Sequence, residues 1–409
     1  MIKPMLLLSL TALLTACASP DDVRAAPEDT WTWQISRNYQ RFAHCLTDAL
    51  NSAPVHSWFY QAPRPITSFD EQWQRRRVIL KSIDPLGVEQ VHIEVDGIDA
   101  PALGDPGPGE VVFDVLAFPI NPADISFCRG SYRLRPPLPA TPGAEGLGRV
   151  IAVGADVTHV KPGDLVINMQ RENWAQRRRV KAEDAVPIPP GLDLAQAAML
   201  RINPPTALLL LEDHAALKPG DWVIQNVANS AVGRHVIVLA KARGVRTVNV
   251  VRRDDVTGKL RDLGADVVVK DGSDLAERAR AATAGPPIRL GIDAVSGEAC
   301  KRIGDCVADG GVVVSYGSMS GQDPVMSRAA VNMRGVNLTG FNLGRGLAKR
   351  TQEQVRGIYA DLAAKLRDGL LKAPIDAFYP IEEIRSALIR AQQDGRHGKV
   401  LVLPNGPLQ

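Results

Sequence analysis

The sequence predicts an α/β protein in which a Rossmann-type, doubly wound parallel sheet is joined to a β-rich domain. Three observations predict it. After about Leu192, runs of β-branched residues alternate with helical stretches, as in a parallel sheet covered on both faces. Between about Arg77 and Pro190, short strands are separated by Gly/Pro turns. The 409 residues are 45% hydrophobic and 23% charged, a composition that supports folded cores and excludes a disordered chain.

Each element has a local reason. Val78-Ile79-Leu80-Lys81 and Gln90 to Val95 read as strands from their β-branched content and alternation. The turn Pro106-Gly107-Pro108-Gly109 opens a strand from Val111 to Phe118, and further strands follow at Gly148 to Val153 and Asp164 to Asn168. In the alternating part, the apolar strand from Trp222 to Val227 leads through a small-residue loop into a helix from Val232 to Arg243. Thr247 to Val251 is the second strand, and a helix ending at Leu263 stops before Gly264. Val267 to Val269, Ile292 to Val295 and Val312 to Tyr316 continue the series. Residues 351–403 carry an amphipathic helix, a second from Glu382, and a closing strand from Lys399 to Leu403.

The N-terminus is of another kind. Lys3 precedes an apolar run, Met5 to Leu14, and then Leu14-Thr15-Ala16-Cys17, which resembles the lipobox of bacterial lipoproteins with Cys17 as the lipidated residue. Residues 1–17 are therefore expected to be a signal segment, and 18–73 an extension with one amphipathic helix near Tyr39 to Leu50. No other run approaches the ~20 apolar residues of a membrane span. A net charge of +3, with no basic stripe interleaved with aromatics, offers nothing to nucleic acid. The five cysteines Cys17, Cys45, Cys128, Cys300 and Cys306 include no CxxC pair, so no structural zinc is expected and those after Cys17 read as buried thiols.

Candidate chemistry begins in the loop Asn226-Val227-Ala228-Asn229-Ser230-Ala231-Val232-Gly233. A dinucleotide pyrophosphate needs small residues here, because backbone N–H groups at the helix N-terminus must approach it closely. Gly233 stands as a motif glycine, while Ala231 stands where a glycine is usual. The loop follows a strand and opens a helix, which is the context the mechanism requires. Where the second strand ends, Arg252-Arg253 replaces the acid that holds an NAD ribose. A guanidinium suits a 2′-phosphate, so the expected cofactor is NADPH.

Other motifs carry a resemblance. Ile120-Asn121-Pro122-Ala123-Asp124, Gly130-Ser131-Tyr132, Pro142 to Gly148, Leu217-Lys218-Pro219-Gly220-Asp221 and Leu263-Gly264-Ala265-Asp266 resemble the medium-chain dehydrogenase/reductase superfamily over about Arg77 to Leu403. Asn203-Pro204-Pro205-Thr206-Ala207 and Gln225 to Ser230 resemble its mitochondrial-type 2-enoyl-thioester reductases. The resemblance implies a GroES-like catalytic domain (74–200 and 344–409), a Rossmann domain (201–343) and a homodimer. It implies no zinc, because the positions of the metal ligands in zinc-dependent relatives read Pro122-Ala123-Asp124 and Ala144. It gives Tyr132 the catalytic role: a phenol, which ordinarily titrates near pH ~10, would act as hydrogen-bond donor and acid toward an acyl thioester carried on coenzyme A or acyl carrier protein. It also implies that Asn203 contacts the nicotinamide and that Tyr316-Gly317-Ser318-Met319 and Phe341-Asn342-Leu343 line the cofactor cleft. Lys399 is expected at the 2′-phosphate and Trp174 at the substrate mouth. Arg177-Arg178-Arg179 reads as a solvated run or an attractor of acidic carriers.

Two alternatives stand beside enoyl-thioester reduction. An NADPH:quinone oxidoreductase on the same fold would need no acid at Tyr132. A non-catalytic lipoprotein with a relic fold would explain Cys17 and Ala231. NADPH chemistry favours the cytoplasm, the Cys17 motif a membrane-anchored lipoprotein, and no twin arginines signal folded export.

Overall fold

A computed structural model describes residues 104–408, except 131, 135 and 137–139, together with the backbone of five strands between Val23 and Gly97. Cys17, Cys45 and the expected helix near Tyr39 to Leu50 lie outside the described residues. The chain divides into two units, one of residues 1–104 and 133–141, the other of 105–132 and 142–409. In the first, the strands Arg77–Ile83 and Glu89–Gly97 pair antiparallel, within a five-stranded sheet that includes Thr32–Ile35 and Ser68–Gln72. These two strands, expected to open the GroES-like domain, therefore pair with the N-terminal extension.

The second unit contains two sheets. One has six parallel strands, ordered Val267–Lys270, Arg246–Val251, Trp222–Gln225, Ile288–Asp293, Val312–Ser315 and Asn337–Gly340. In chain order that is third, second, first, fourth, fifth, sixth, the doubly wound arrangement with its switch point beside the first strand. Trp222–Gln225 is buried throughout, as an apolar strand covered on both faces must be. The helix Ala231–Ala242 packs on this sheet through Val236, Leu239 and Ala240.

The other sheet has seven strands. Ala185–Pro187, Leu165–Asn168, Leu147–Val153, Glu110–Pro119, Lys399–Leu403 and Ile375–Pro380 lie in that order, and Arg177–Lys181 pairs with Glu110–Pro119. The C-terminal strand thus returns to the β-rich domain, where Leu401 pairs with Pro119 and Val402 with Phe118. One apolar core runs through both sheets, from Leu147 and Ile167 to Val223, Val314 and Leu401, with Tyr359 of the helix Gln352–Arg367 inside it. Cys300 and Cys306 are buried, and burial pushes both thiols up to about 12. Cys128 departs from the buried-thiol expectation: it closes a helix at the surface and is exposed. Among the described residues no helix is long and apolar enough to cross a membrane.

Candidate functional site

The nucleotide end of the site is built where the first parallel strand stops. Asn226 Nδ2 donates to Asp293 Oδ1 at 2.6 Å and its Oδ1 accepts from Ala294 N at 2.8 Å, tying the ends of the first and fourth strands together. Val227 then turns the chain at φ +51°, and Ser230 caps the next helix, its Oγ accepting from Gly233 N at 3.1 Å. A Cβ on Gly233 would lie 2.6 Å from the carbonyl oxygen of Ala228, so a glycine is required for the helix to pack this close to its own loop. Asn229 is exposed, Ser230 half-buried, and Ala231 and Val232 face the core. Arg252 and Arg253, just past Arg246–Val251, project into solvent; Arg252 Nη2 lies 3.6 Å from Asp394 Oδ1 and Arg253 Nε 3.4 Å from Asp255 Oδ1.

The expected cleft residues fall into separate roles. The Tyr316 hydroxyl hydrogen-bonds with Ser230, and burial raises its pKa well above the ordinary phenol range. Gly317 comes so near Ala294 that a Cβ would lie 2.9 Å from its oxygen, while Ser318 and Met319 are exposed. Phe341 meets His214 edge-on at 5.9 Å. Asn342 caps the helix that Leu343 opens, its Oδ1 accepting from Arg345 N at 3.0 Å.

A second cluster is assembled from six segments of the chain. Asn121 caps the helix Pro122–Cys128, and Asp124 in its first turn is fully buried. Asp124 accepts from Asn121 N at 3.0 Å and from Ala144 N at 2.7 Å. Glu145, also fully buried, accepts from Asn121 Nδ2 at 2.8 Å, Ile202 N at 2.9 Å and Asn203 Nδ2 at 3.5 Å. Burial raises the Glu145 carboxyl to about 7, although Lys399 and these donors oppose the shift. Arg201 donates to the carbonyls of Ala144 and Met169, and its own carbonyl accepts from the Tyr359 hydroxyl at 3.0 Å. Lys399 donates to Asn121 Oδ1, and burial lowers its pKa. The family pattern expects Lys399 at the 2′-phosphate. In the structure its ammonium donates to Asn121 Oδ1, and Arg252 and Arg253 face solvent.

Tyr132 lies beside this cluster, half-buried, its backbone N donating to Ser126 O at 3.0 Å. The guanidinium carbon of Arg171 stands 4.9 Å from the centre of its ring. Trp174 stacks on Phe118 at 5.7 Å with 17° between the planes. Arg177, Arg178 and Arg179 are ion-paired with Asp114, Glu172 and Glu110 respectively, on a strand paired with Glu110–Pro119.

An alcohol dehydrogenase GroES-like domain model matches residues 107–191, and a zinc-binding dehydrogenase model matches residues 231–364. The mitochondrial enoyl-acyl-carrier-protein reductase of Rattus norvegicus is 37% identical over 286 residues, 68% of this chain and 77% of that protein. The chain belongs to the medium-chain dehydrogenase/reductase superfamily. Among solved structures, Etr1p with NADP and crotonyl-CoA is 25% identical with a TM-score of 0.65, covering 80% of this chain and 95% of that one. Etr1p is also known as a heterodimer with Etr2p, a mitochondrial 2-enoyl thioester reductase from Candida tropicalis. The quinone oxidoreductase of Escherichia coli with NADPH is 25% identical with a TM-score of 0.68, covering 77% of this chain and 96% of that one. This superfamily member is an oxidoreductase, enoyl thioester reductase-like in its relatives.

One matching domain model carries zinc in its description, so the donor set here matters. Both oxygens of Asp124 and both of Glu145 are already taken by protein N–H donors. Among the described residues no three His, Cys, Asp or Glu side chains are grouped to hold a metal ion. These residues do not suit catalytic zinc, which takes three protein ligands and keeps a fourth position open. The loop and helix N-terminus at Ser230–Gly233, by contrast, suit a dinucleotide, since Gly233 lets the helix start close against its own loop and the helix N-terminus turns the positive end of its dipole toward a pyrophosphate. Sequence reasoning missed Arg171 and Arg201, and gave Asp124 and Glu145 no role beyond the absence of zinc. Their partners lie far away in sequence, and an isolated arginine carries no motif.

Proposed function

We propose that this oxidoreductase reduces the C=C bond of 2-enoyl thioesters with NADPH and without zinc. The observation that carries the reading is the likeness to the rat enoyl reductase across most of that protein's length. The Etr1p complex with NADP and crotonyl-CoA supports the cofactor and substrate class. In this reading the amides at Ser230–Gly233 hold the pyrophosphate, Arg252 and Arg253 attract the 2′-phosphate, and Asn203 meets the nicotinamide. When bound, NADPH supplies the hydride that adds to Cβ of the thioester. Tyr132 donates a hydrogen bond to the thioester oxygen, on which the enolate charge develops, and its phenol then gives the proton to Cα and is reprotonated from water. The products are the saturated acyl thioester and NADP⁺. The same reading includes a homodimer in the cytoplasm, and fractionation of the natural chain tests it against an anchor at Cys17.

Tyr132→Phe removes the hydroxyl and keeps the ring. With crotonyl-CoA, kcat is expected to fall roughly 10²–10³-fold while the Kd for NADPH stays unchanged. Full activity in the variant overturns the role of Tyr132. A second reading, quinone reduction, is favoured by the likeness to the NADPH-bound Escherichia coli enzyme. It needs no proton at carbon, so activity on quinones alone, indifferent to Tyr132→Phe, would replace the first.

A further inference from the structure

We infer that Arg171 is a positioning residue for Tyr132, its guanidinium fixing the face of the ring whose hydroxyl serves the reduction. The inference rests on the reading of Tyr132 given above. Arg171 Cζ lies 4.9 Å from the Tyr132 ring centre and 5.3 Å from that of Phe127, so one planar cation contacts both rings. Both distances fall within the ~6 Å reach of cation–π attraction. Its Nη2 lies 3.6 Å from Asp124 Oδ1, and Asp124 is itself fixed by the backbone N–H groups of Asn121 and Ala144. Among the described residues neither Nε nor Nη2 of Arg171 meets a hydrogen-bond acceptor, although the side chain is only 23% exposed. The rings and Asp124 are therefore its described attachments.

The segment carrying Arg171 is itself held. Glu172 adopts φ +70°, a left-handed conformation unfavourable for a residue with a side chain, and its carboxylate pairs with Arg178 Nη1 at 2.9 Å. Asn173 N donates to Gly143 O and Trp174 N to Pro142 O, so the backbone on the far side of the strained residue is pinned too. The Tyr132 main chain is held too, its backbone N donating to Ser126 O. It is thus fixed at Ser126 while the Arg171 cation contacts the ring. A lysine would keep the charge near Asp124 but could not lie flat on the ring.

A double-mutant cycle with Tyr132→Phe tests this, using crotonyl-CoA and NADPH. Arg171→Met is expected to lower kcat about tenfold and leave the KM for NADPH unchanged, with Arg171→Lys recovering part of the loss. In the Tyr132→Phe background neither substitution should lower kcat further, because the hydroxyl being positioned is gone. A full tenfold loss in that background, or an unchanged kcat for Arg171→Met alone, overturns the proposal while leaving Tyr132 in place. An unaffected Tyr132→Phe single variant overturns the reading of Tyr132 itself. If Arg171→Met does not fold, Arg171→Lys carries the same cycle, since it retains the ion pair with Asp124.

Discussion

Two buried polar clusters in this chain are built from opposite kinds of group. Between the first two parallel strands and the helix Ala231–Ala242 one cluster is made of neutral groups, with Gln225 Oε1 left without a hydrogen-bond donor among the described residues. Gln225 Nε2 donates to Asn249 Oδ1 at 2.8 Å and to Gly233 O at 2.9 Å, and Asn249 Nδ2 donates to Thr247 Oγ1 at 2.8 Å. Around Glu145 the groups are ionisable: Asp124, Arg201 and Lys399 accompany it, each with its pKa displaced by burial. Neutral amides lose little on leaving water once hydrogen-bonded, whereas ions lose much and remain sensitive to protonation. The Gln225–Asn249 contacts should therefore tolerate pH, and the half of the site that carries Tyr132 and Asn203 should not; the buried carboxylate of Asp293, at the end of the fourth strand, stands outside this contrast.

The largest effects are expected where that contrast is sharpest. Glu145→Ala should destabilise the fold by about 3–5 kcal/mol in denaturant titrations, because Asn121 Nδ2 and the Ile202 N–H lose their buried acceptor. A loss below 1 kcal/mol would show that the ionic cluster is incidental. Glu145→Gln isolates the charge. With its carboxyl raised from 4.5 to about 7 in the folded state, Glu145 binds a proton there that the unfolded chain has released. Its contribution to stability is thus full below about 4.5, falls as pH rises toward 7, and levels off above. The fall amounts to on the order of 3–4 kcal/mol, and the glutamine variant should lack it. Identical slopes of stability against pH in the two proteins would remove the ionic character from the comparison.

Gly233 probes the neutral half. A valine there must push its Cβ into the Ala228 carbonyl, moving the loop that is to hold the pyrophosphate. The affinity for NADPH should fall roughly 10- to 100-fold, with the same fold change at pH 6 and pH 8. A pH-dependent change would mean that the two clusters are coupled.

The same contrast explains what could be read in advance. Strands such as Arg246–Val251 and Val312–Ser315 are continuous β-branched runs, and the loop to Gly233 lies within one strand–helix unit, so local pattern suffices. The fourth strand begins at Ile288, earlier than Ile292, because Arg289 and Gly291 interrupt its apolar run. Asn337–Gly340 shows no alternation because all four residues are exposed at the sheet edge. The ionic cluster is non-local: Lys399 and Asn121 are 278 residues apart, and their contact exists once the C-terminal strand has paired beside Phe118. Arg171 acts through the faces of Phe127 and Tyr132, a relation that no spacing rule encodes.

Arg252 sits where the two plans meet, and the smallest effect is expected there. It leaves the end of a parallel strand, yet its ion-pair partner Asp394 belongs to the segment just before the Lys399 strand. At 3.6 Å, with side chains 81% and 96% exposed, this pair is solvated and salt-screened, so the guanidinium is readily transferred to another anion. A 2′-phosphate offers such an anion, with more charge than one carboxylate and three acceptor oxygens. NADPH should accordingly bind at least about tenfold tighter than NADH, a difference of about 1.4 kcal/mol. Arg252→Glu should erase most of that preference by placing like charges together. Asp394→Asn should widen it slightly, because the competing carboxylate is gone. Isothermal titration of both cofactors at low and high salt measures all three. The preference should shrink as salt rises, and equal affinities for NADPH and NADH in the unmodified protein would show that Arg252 does not read the 2′-phosphate.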